Sequence, residues 1–395
     1  MNIPLIRLLN QQIMVPQFKT PAQVVSWMGA VQAQDATAMK WTVGLRMKSP
    51  GKSLVEQALN EGTVVRTHVM RPTWHLVTAE NLRWMLMLSR ESNERAYRSY
   101  LHASRMHIDE TTFEKALDCM GLALEGGHSL TAKDLQDVIE QRGLPHTDRH
   151  VRAYLWLAEC RALVCSGTLQ GNKNTYALVD ERISPQPSTT REEALTRLAH
   201  NYFRSHSPAT VEDFVWWSGL KTSEARQAIG AVGQDLVTEK YRDATYYIHT
   251  TCRTHGRAAQ ATALLPAFEE YLLGYKDRTA VLPREFYPKA FTGNGIFFPV
   301  IMHSGQLVGT WKRPKAATAP LDYTCFRPHP APGDEALDKA LQRYRHFLTH
   351  WKKIKVSQSS FLRDFLNIEF FTFFDFRRSL SWRARFSWVW RPSWR

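Results

Sequence analysis

One order of local signals occurs three times along this chain: two helix patterns, then two short strand patterns joined by a polar turn. It is clearest over residues 131–178. Thr131 is placed to cap a helix with Asp134 three residues on, Leu135, Val138 and Ile139 form its buried stripe, and Gly143 ends it. A second helix is expected through His150–Cys160, followed by LVCSG, the turn TLQGNKN and TYALV, which read as a hairpin. Residues 208–248 repeat the order. Thr210 opens a helix carrying Val211, Phe214 and Val215, Ser218-Gly219 turns the chain, a second helix starts near Thr222, and DLVTEK, YRDA and TYYI form strand, turn and strand. Residues 20–77 give a looser version. Thr20-Pro21-Ala22-Gln23 offers a cap, a first-turn proline and a capping-box glutamine. Ser53 and Glu56 suggest a second box, and VVRTHVMRPTWHLV reads as a hairpin turning at Arg71-Pro72. Helix, turn, helix and hairpin together make the winged-helix arrangement. Three unrelated helical hairpins would have no reason to be followed each time by a strand pair.

These signals predict a mainly α fold with β: three tandem winged-helix units followed by a small β-barrel-like C-terminal domain. The expected boundaries are 1–125, with flanking helices, 126–190 with a Pro/Ser/Thr-rich linker, 191–262, and 263–352. This last part mixes β-branched and aromatic residues with glycine turns and ends on an amphipathic helix striped by Leu337, Ala340, Leu341, Tyr344 and Phe347. Residues 353–395 form an Arg- and aromatic-rich tail without a steady period, expected to be disordered or artefactual and dispensable.

A chain of 395 residues has room for two or three domains. No stretch approaches the roughly 18 apolar residues of a membrane span, and MNIPLIRLLNQQ is too polar for a signal peptide. Five scattered cysteines fit a reducing, cytoplasmic setting better than a disulfide framework. Charge says more about partners. Fifty-one basic against 37 acidic residues leave +14, and a basic surface concentrates polyanions, nucleic acid above all. The tail holds nine basic and three acidic residues, so part of the excess is local.

In VQAQDATA, RTHVMRPTWHL, DFVWWSGL, LLPAFEEYLLGYKDR and NGIFFPVIMHSGQLVGTWKR, taken in order, the chain resembles the bacterial winged-helix DNA glycosylases of the AlkZ/YcaQ type over about residues 3–350. The resemblance implies three tandem winged helices and a β-barrel. It also implies excision of alkylated bases, unhooking of interstrand crosslinks, and an active-site signature of Gln, an apolar residue, then Gln or Asp. Here the signature is Gln32-Ala33-Gln34. The Gln–Gln form is similar to the crosslink-acting AlkZ branch, and Gln–Asp marks the YcaQ branch. Where the family pattern leads one to expect glycine in the hairpin, this chain has Pro72, which fixes φ and removes a donor.

The chemistry of such a reaction fits glutamine. An N7-alkylated guanine is cationic and leaves as a neutral base, so no general acid is needed, and the protein has to hold water and sugar in line. A glutamine amide accepts and donates hydrogen bonds but does not deprotonate water. Gln32 and Gln34 point the same way if their segment is extended. Asp35 is a candidate orienter or base, or else a helix cap. Thr73 and His75 either line the base or phosphate pocket or are an ordinary hairpin pair. Arg66 and Arg71 are candidate phosphate contacts, or surface charges. Glu269, Glu270, Lys276, Asp277 and Arg278 form a charged cluster that touches DNA near the site or pairs internally, with Lys276 and Arg278 the DNA-binding candidates. Trp216 and Trp217 are expected in the core. Lys40 could form a Schiff base with an abasic sugar, but monofunctional hydrolysis is favoured. No cofactor or metal is expected: His146, His150, Cys160 and Cys165 make a poor zinc set, and no phosphate-binding glycine loop is present.

The expected function is therefore a DNA glycosylase for cationic alkylpurines in double-stranded DNA, cytoplasmic and nucleoid-associated, with no membrane or obligate protein partner. The alternatives are a winged-helix DNA-binding protein without chemistry and a protein-interaction scaffold.

Overall fold

The computed structural model describes residues 1–256, 261–314, 316, 319–326 and 332–349. The tail lies outside them, and with it the expectation of its dispensability. Helices followed by a strand hairpin occur in each of the three stretches, with three helices in place of the expected two in the first. In the first, Thr20 and Gln23 form the expected capping box on helix Pro21–Met28, with Pro21 in its first turn. A two-residue strand, Val31–Gln32, precedes helices Ala38–Leu45 and Lys52–Glu61 and the hairpin of Val64–Val69 with Thr73–Thr78. Val31–Gln32 joins that hairpin as a third strand, Val31 opposite Leu76 and Gln32 opposite His75. The second expected capping box does not form. Helix Lys52–Glu61 starts from Gly51, and Glu56 instead takes the ammonium groups of Lys40 at 2.6 Å and Lys52 at 3.3 Å.

In the second repeat, Thr131 and Asp134 cap helix Ala132–Gln141 as expected, helix Asp148–Cys160 follows, and the hairpin shrinks to Val164–Ser166 and Tyr176–Leu178. The third repeat consists of helices Val211–Ser218 and Thr222–Val232 and the hairpin of Leu236–Tyr241 with Ala244–His249. Helix Arg191–His206 leads into it, capped by Thr190 and Glu193. A 25-residue helix, Ala79–Ala103, links the first repeat to the second. Its periodic signal fades because the buried stripe passes from Leu82, Met85 and Leu86 to Ser89 and Asn93, and polar residues do not announce burial.

The C-terminal part departs from expectation. Its strands form an open, four-stranded antiparallel sheet in the order Asp322–Cys325, Gln306–Lys312, Val300–His303, Thr262–Leu265, and no barrel closes among the described residues. Helix Asp334–Thr349 packs on it through the predicted stripe, with Tyr344 against Trp311 and Trp41 at ring distances of 5.2 Å.

Residues Met1–Trp351 make one compact unit, and the first hairpin explains how its parts join. Side chains alternate between the faces of a strand. Val64 and Leu76 enter a core shared with the C-terminal sheet, whereas Val65, Val69 and Val77 enter a core shared with Leu198, Tyr202, Phe214 and Trp217. Both faces of this hairpin are therefore interior. Its tip is tied down as well: the Met70 N–H donates to Ser89 Oγ at 2.7 Å, and Ser92 Oγ donates to the Met70 carbonyl at 3.0 Å. Pro72 is accommodated because the left-handed residue of the turn is Met70, φ 59°, and the loop residues 70–72 lie between the Val69–Thr73 pair. None of the described helices is long and apolar enough to cross a membrane.

Candidate active site

The Gln32-Ala33-Gln34 segment is held from three sides. The Gln32 backbone N–H donates to Glu270 Oε1 at 2.7 Å, the Ala33 N–H donates to the Trp74 carbonyl at 2.7 Å, and Arg66 Nε donates to the Ala33 carbonyl at 3.0 Å. The two glutamines are not equivalent. Gln32 ends the short strand and is 4% exposed, whereas Gln34 sits in the bend after it and is solvent-exposed. The extended geometry that would point them the same way stops at Gln32. Asp35 closes the bend by accepting from the Thr37 and Ala38 N–H groups at 2.7 and 2.9 Å, the helix-capping option among its expected roles.

Two donors lie on the Gln32 side-chain oxygen: Arg71 Nη2 at 3.3 Å and the Thr73 hydroxyl at 3.5 Å. Both contacts are long, but they assign oxygen and nitrogen within the amide, because a guanidinium has only donors. The Gln32 NH₂ has no partner among the described residues. Arg71 is drawn inward, and burial lowers its pKa while the Glu270 charge opposes that. Its guanidinium carbon lies 5.6 Å from the Trp216 ring centre.

His75, paired across the sheet with Gln32, is fully buried. Its Nδ1 lies 2.8 Å from the Thr73 carbonyl and so carries the proton, which leaves Nε2 as a buried acceptor with no partner among the described residues. Burial, then the Arg71 charge, pushes its pKa down to about 4, so the imidazole is neutral at physiological pH.

Beneath these groups lies Glu270, which is fully buried. Oε2 accepts from Trp217 Nε1 at 3.1 Å, and His206 Nε2 lies 3.5 Å from it. Burial alone would raise a carboxyl, yet Glu270 is held below its ordinary value by His206 and by the Gln32 N–H. Its neighbour Glu269 reaches the other way and pairs with the buried guanidinium of Arg46, which also donates to Gln11 Oε1 at 3.0 Å and the Thr42 carbonyl at 2.9 Å. The two acids therefore neither touch the surface nor pair within their own cluster. A pair of acids inside the apolar run LLPAFEEYLL is the signal that could have marked them as interior.

The remaining candidates separate by exposure. Arg66 is buried, stacked 3.8 Å over the Trp74 ring, and faces the Ala33 carbonyl, not solvent. Arg278 is also buried, donating to the Leu272 and Lys276 carbonyls at 2.8 and 3.2 Å amid Trp216, Phe291 and Phe297. Lys276 alone of that segment's basic candidates is exposed, and its backbone N–H donates to Asp213 Oδ1 at 2.9 Å. Trp217 is core, but Trp216 is 38% exposed, because adjacent helical residues face different ways. Lys40 is committed to Glu56. The four suggested zinc ligands do not converge: His146 lies against Glu140, His150 against Thr147, and Cys160 and Cys165 are separately buried.

The comparisons with known proteins bear on the family and the fold. A family model described as DNA glycosylase AlkZ-like matches residues 25–347. A curated relative from Streptomyces sahachiroi, named interstrand DNA cross-link repair glycosylase, is 26% identical over 328 residues, covering 77% of this chain and 85% of the relative. The solved structure of the Streptomyces sahachiroi DNA glycosylase AlkZ superposes with a TM-score of 0.70 at 21% identity, over 88% of this chain and 95% of that one. The mixed α and β fold is therefore similar to that structure.

Proposed function

This chain belongs to the AlkZ-like DNA glycosylase family, and from that premise we propose that it hydrolyses the N-glycosidic bond of cationic N7-alkylated purines in double-stranded DNA, including those that tie the two strands of a crosslink. A member of this family is a DNA glycosylase, a hydrolase of N-glycosyl bonds. The observation that carries the finer reading is the clamped loop, which presents a buried Gln32 amide beside an exposed Gln34 amide.

The division of labour follows from which amide atoms are already engaged. Gln32 Oε1 is taken by Arg71 and Thr73, so Gln32 offers its NH₂ to the sugar or the flipped base. Gln34 has no side-chain partner among the described residues, so its amide oxygen can accept from the attacking water. The cationic base takes the bonding electrons and leaves neutral, so no group has to protonate it, and the water that adds to the sugar releases its proton to solvent. As positive charge passes to the sugar, the ionised Glu270 beneath Gln32 favours it, while the neutral His75 adds no repulsion. Asp35, occupied as a helix cap, supports the loop, and Lys40 plays no covalent part.

Binding to DNA rests on the basic surface, with the exposed Lys276 and the half-buried Arg71 as its phosphate contacts. In this reading residues 1–125, 126–190 and 191–262 are three winged-helix units, 263–352 is a β-rich C-terminal domain, and the enzyme works in the cytoplasm at the nucleoid. A winged-helix binder without chemistry is not favoured, because the family is one of glycosylases.

The test is single-turnover release of 7-methylguanine from alkylated duplex, with a crosslinked duplex alongside. Gln34→Ala and Gln32→Ala should each slow release by roughly ten- to a thousand-fold, the loss expected from one positioning hydrogen bond. Affinity for the same duplex should change less than about threefold, since neutral groups add little to a binding term set by phosphate charge. Gln34→Asp resembles the Gln–Asp form and should retain activity with a shifted adduct preference. Equal losses of release and binding would make the pair a structural contact.

A further inference from the structure

The third repeat carries a side-chain cluster that base excision does not use. His200 comes from helix Arg191–His206, Asp235 from the 3-10 turn Gly233–Asp235, and His249 from the last position of strand Ala244–His249. The hairpin register sets Leu236 opposite His249, and the Thr250 N–H donates to the Asp235 carbonyl at 2.8 Å, so turn and strand end are fixed side by side. One ligand atom of each residue lies within 4.8 Å of the other two, and the two imidazole rings meet edge to face at 4.8 Å.

An independent feature points to a ligand. His249 is only 3% exposed, and its Nε2 is buried with no partner among the described residues. A buried imidazole nitrogen left unsatisfied is costly. Nδ1 is 2.8 Å from the Thr251 hydroxyl, the kind of outer partner that takes the Nδ1 proton and aims Nε2 at a metal. Without a metal the Thr251 N–H donates to Nδ1 at 3.2 Å, which puts the ring proton on Nε2; a metal at Nε2 shifts that proton to Nδ1, toward the Thr251 hydroxyl.

We infer that His200, Asp235 and His249 bind a divalent transition-metal ion of the zinc class, which staples the base of the third hairpin to helix Arg191–His206. Two imidazoles and one carboxylate are a nitrogen and oxygen set that suits zinc with a fourth position left for water. Calcium and magnesium take oxygen ligands almost alone. Ligand atoms around a zinc ion sit about 3.4 Å apart, given bond lengths near 2.1 Å, so the set closes with a rotamer adjustment of the exposed Asp235 and the half-buried His200. The nearby cation does not block the site, because Arg204 donates to the Ser26 and Trp27 carbonyls at 2.9 and 3.4 Å. The inference does not depend on the glycosylase reading.

The full chain, stripped with chelator, is titrated with zinc alone by calorimetry and with cobalt by absorption. One zinc ion per chain is expected, and a cobalt spectrum without a thiolate charge-transfer band. Zinc should also slow amide exchange in residues 236–249. His200→Ala and Asp235→Asn, chosen because His249→Ala removes a core group, should each weaken binding at least about tenfold, the loss that even an outer partner's removal causes. Absence of stoichiometric binding overturns the inference. So does affinity unchanged in both variants, or a thiolate band, which would assign the ion to the cysteines.

Discussion

Glu270 and Gln32, 238 positions apart in sequence, meet at 2.7 Å: a fully buried carboxylate accepts the backbone N–H of the first signature glutamine. This single bond ties the C-terminal segment to the short strand that carries the candidate chemistry. It makes Glu270 a positioning residue, because its effect on the reaction passes through the backbone of another group and through its charge.

Glu270→Gln keeps the size but loses the charge, and an amide NH₂ must then face the donors of Gln32, Trp217 or His206. Leaving one buried group unsatisfied should destabilise the fold by about 1–3 kcal/mol. Base release from alkylated duplex should fall while duplex affinity holds. Unfolding curves beside single-turnover rates check both. Unchanged release in a folded Glu270→Gln protein would remove Glu270 from the site's machinery.

Arg66 gives a sharp contrast between two roles. A phosphate contact contributes to the salt slope of DNA binding, by about one unit of log affinity against log salt. A buried guanidinium that holds the Ala33 carbonyl contributes nothing to that slope. Arg66→Met should therefore leave the slope as it is and slow base release by roughly ten- to a hundredfold, as a displaced reacting group does. Duplex binding measured across a salt series decides it.

His75 makes stability depend on pH. Its folded-state pKa of about 4 lies below the ordinary 6.5, so between those values the unfolded chain binds a proton that the native protein does not. Stability from this group is complete above about pH 6.5 and is lost as pH falls toward 4. The loss is roughly 3 kcal/mol for a group this deeply buried. His206 and His249, also pushed down by burial, add losses of the same sign. Denaturant midpoints at pH 7.5 and about pH 4.5 should diverge less in His75→Asn than in the wild type.

Gly44 lets the last helix dock. A Cβ at this position would lie 2.6 Å from the ring of Phe347, itself buried against Trp41. Gly44→Ala should cost about 1–3 kcal/mol by overpacking, read as a lowered melting temperature. A Gly44→Ala, Phe347→Leu double variant should recover part of it. An unshifted single variant would mean that the helix yields freely.

Local sequence determined what depends on neighbours in the chain. The capping boxes at Thr20, Thr131 and Thr210 form, Gly219 stops its helix in the left-handed conformation, and the stripe from Leu337 to Phe347 is buried as its period predicts. Gln32-Ala33-Gln34 stood out as a candidate signature only through its flanking blocks. What sequence could not supply was the inside and outside of polar groups. Arg66, Glu269 and Glu270 read as groups that could face DNA, yet each is buried, because its partner comes from a remote segment: Ala33, Arg46 and Gln32. Arg278 is buried too, on the nearby Leu272 and Lys276 carbonyls and among rings that include the remote Trp216. Nor could local patterning show that Val64 and Val65 enter different cores, or that the C-terminal strands stay open among the described residues. A charged side chain is interior only where tertiary contacts supply the hydrogen bonds it loses from water, and those contacts lie far away along the chain.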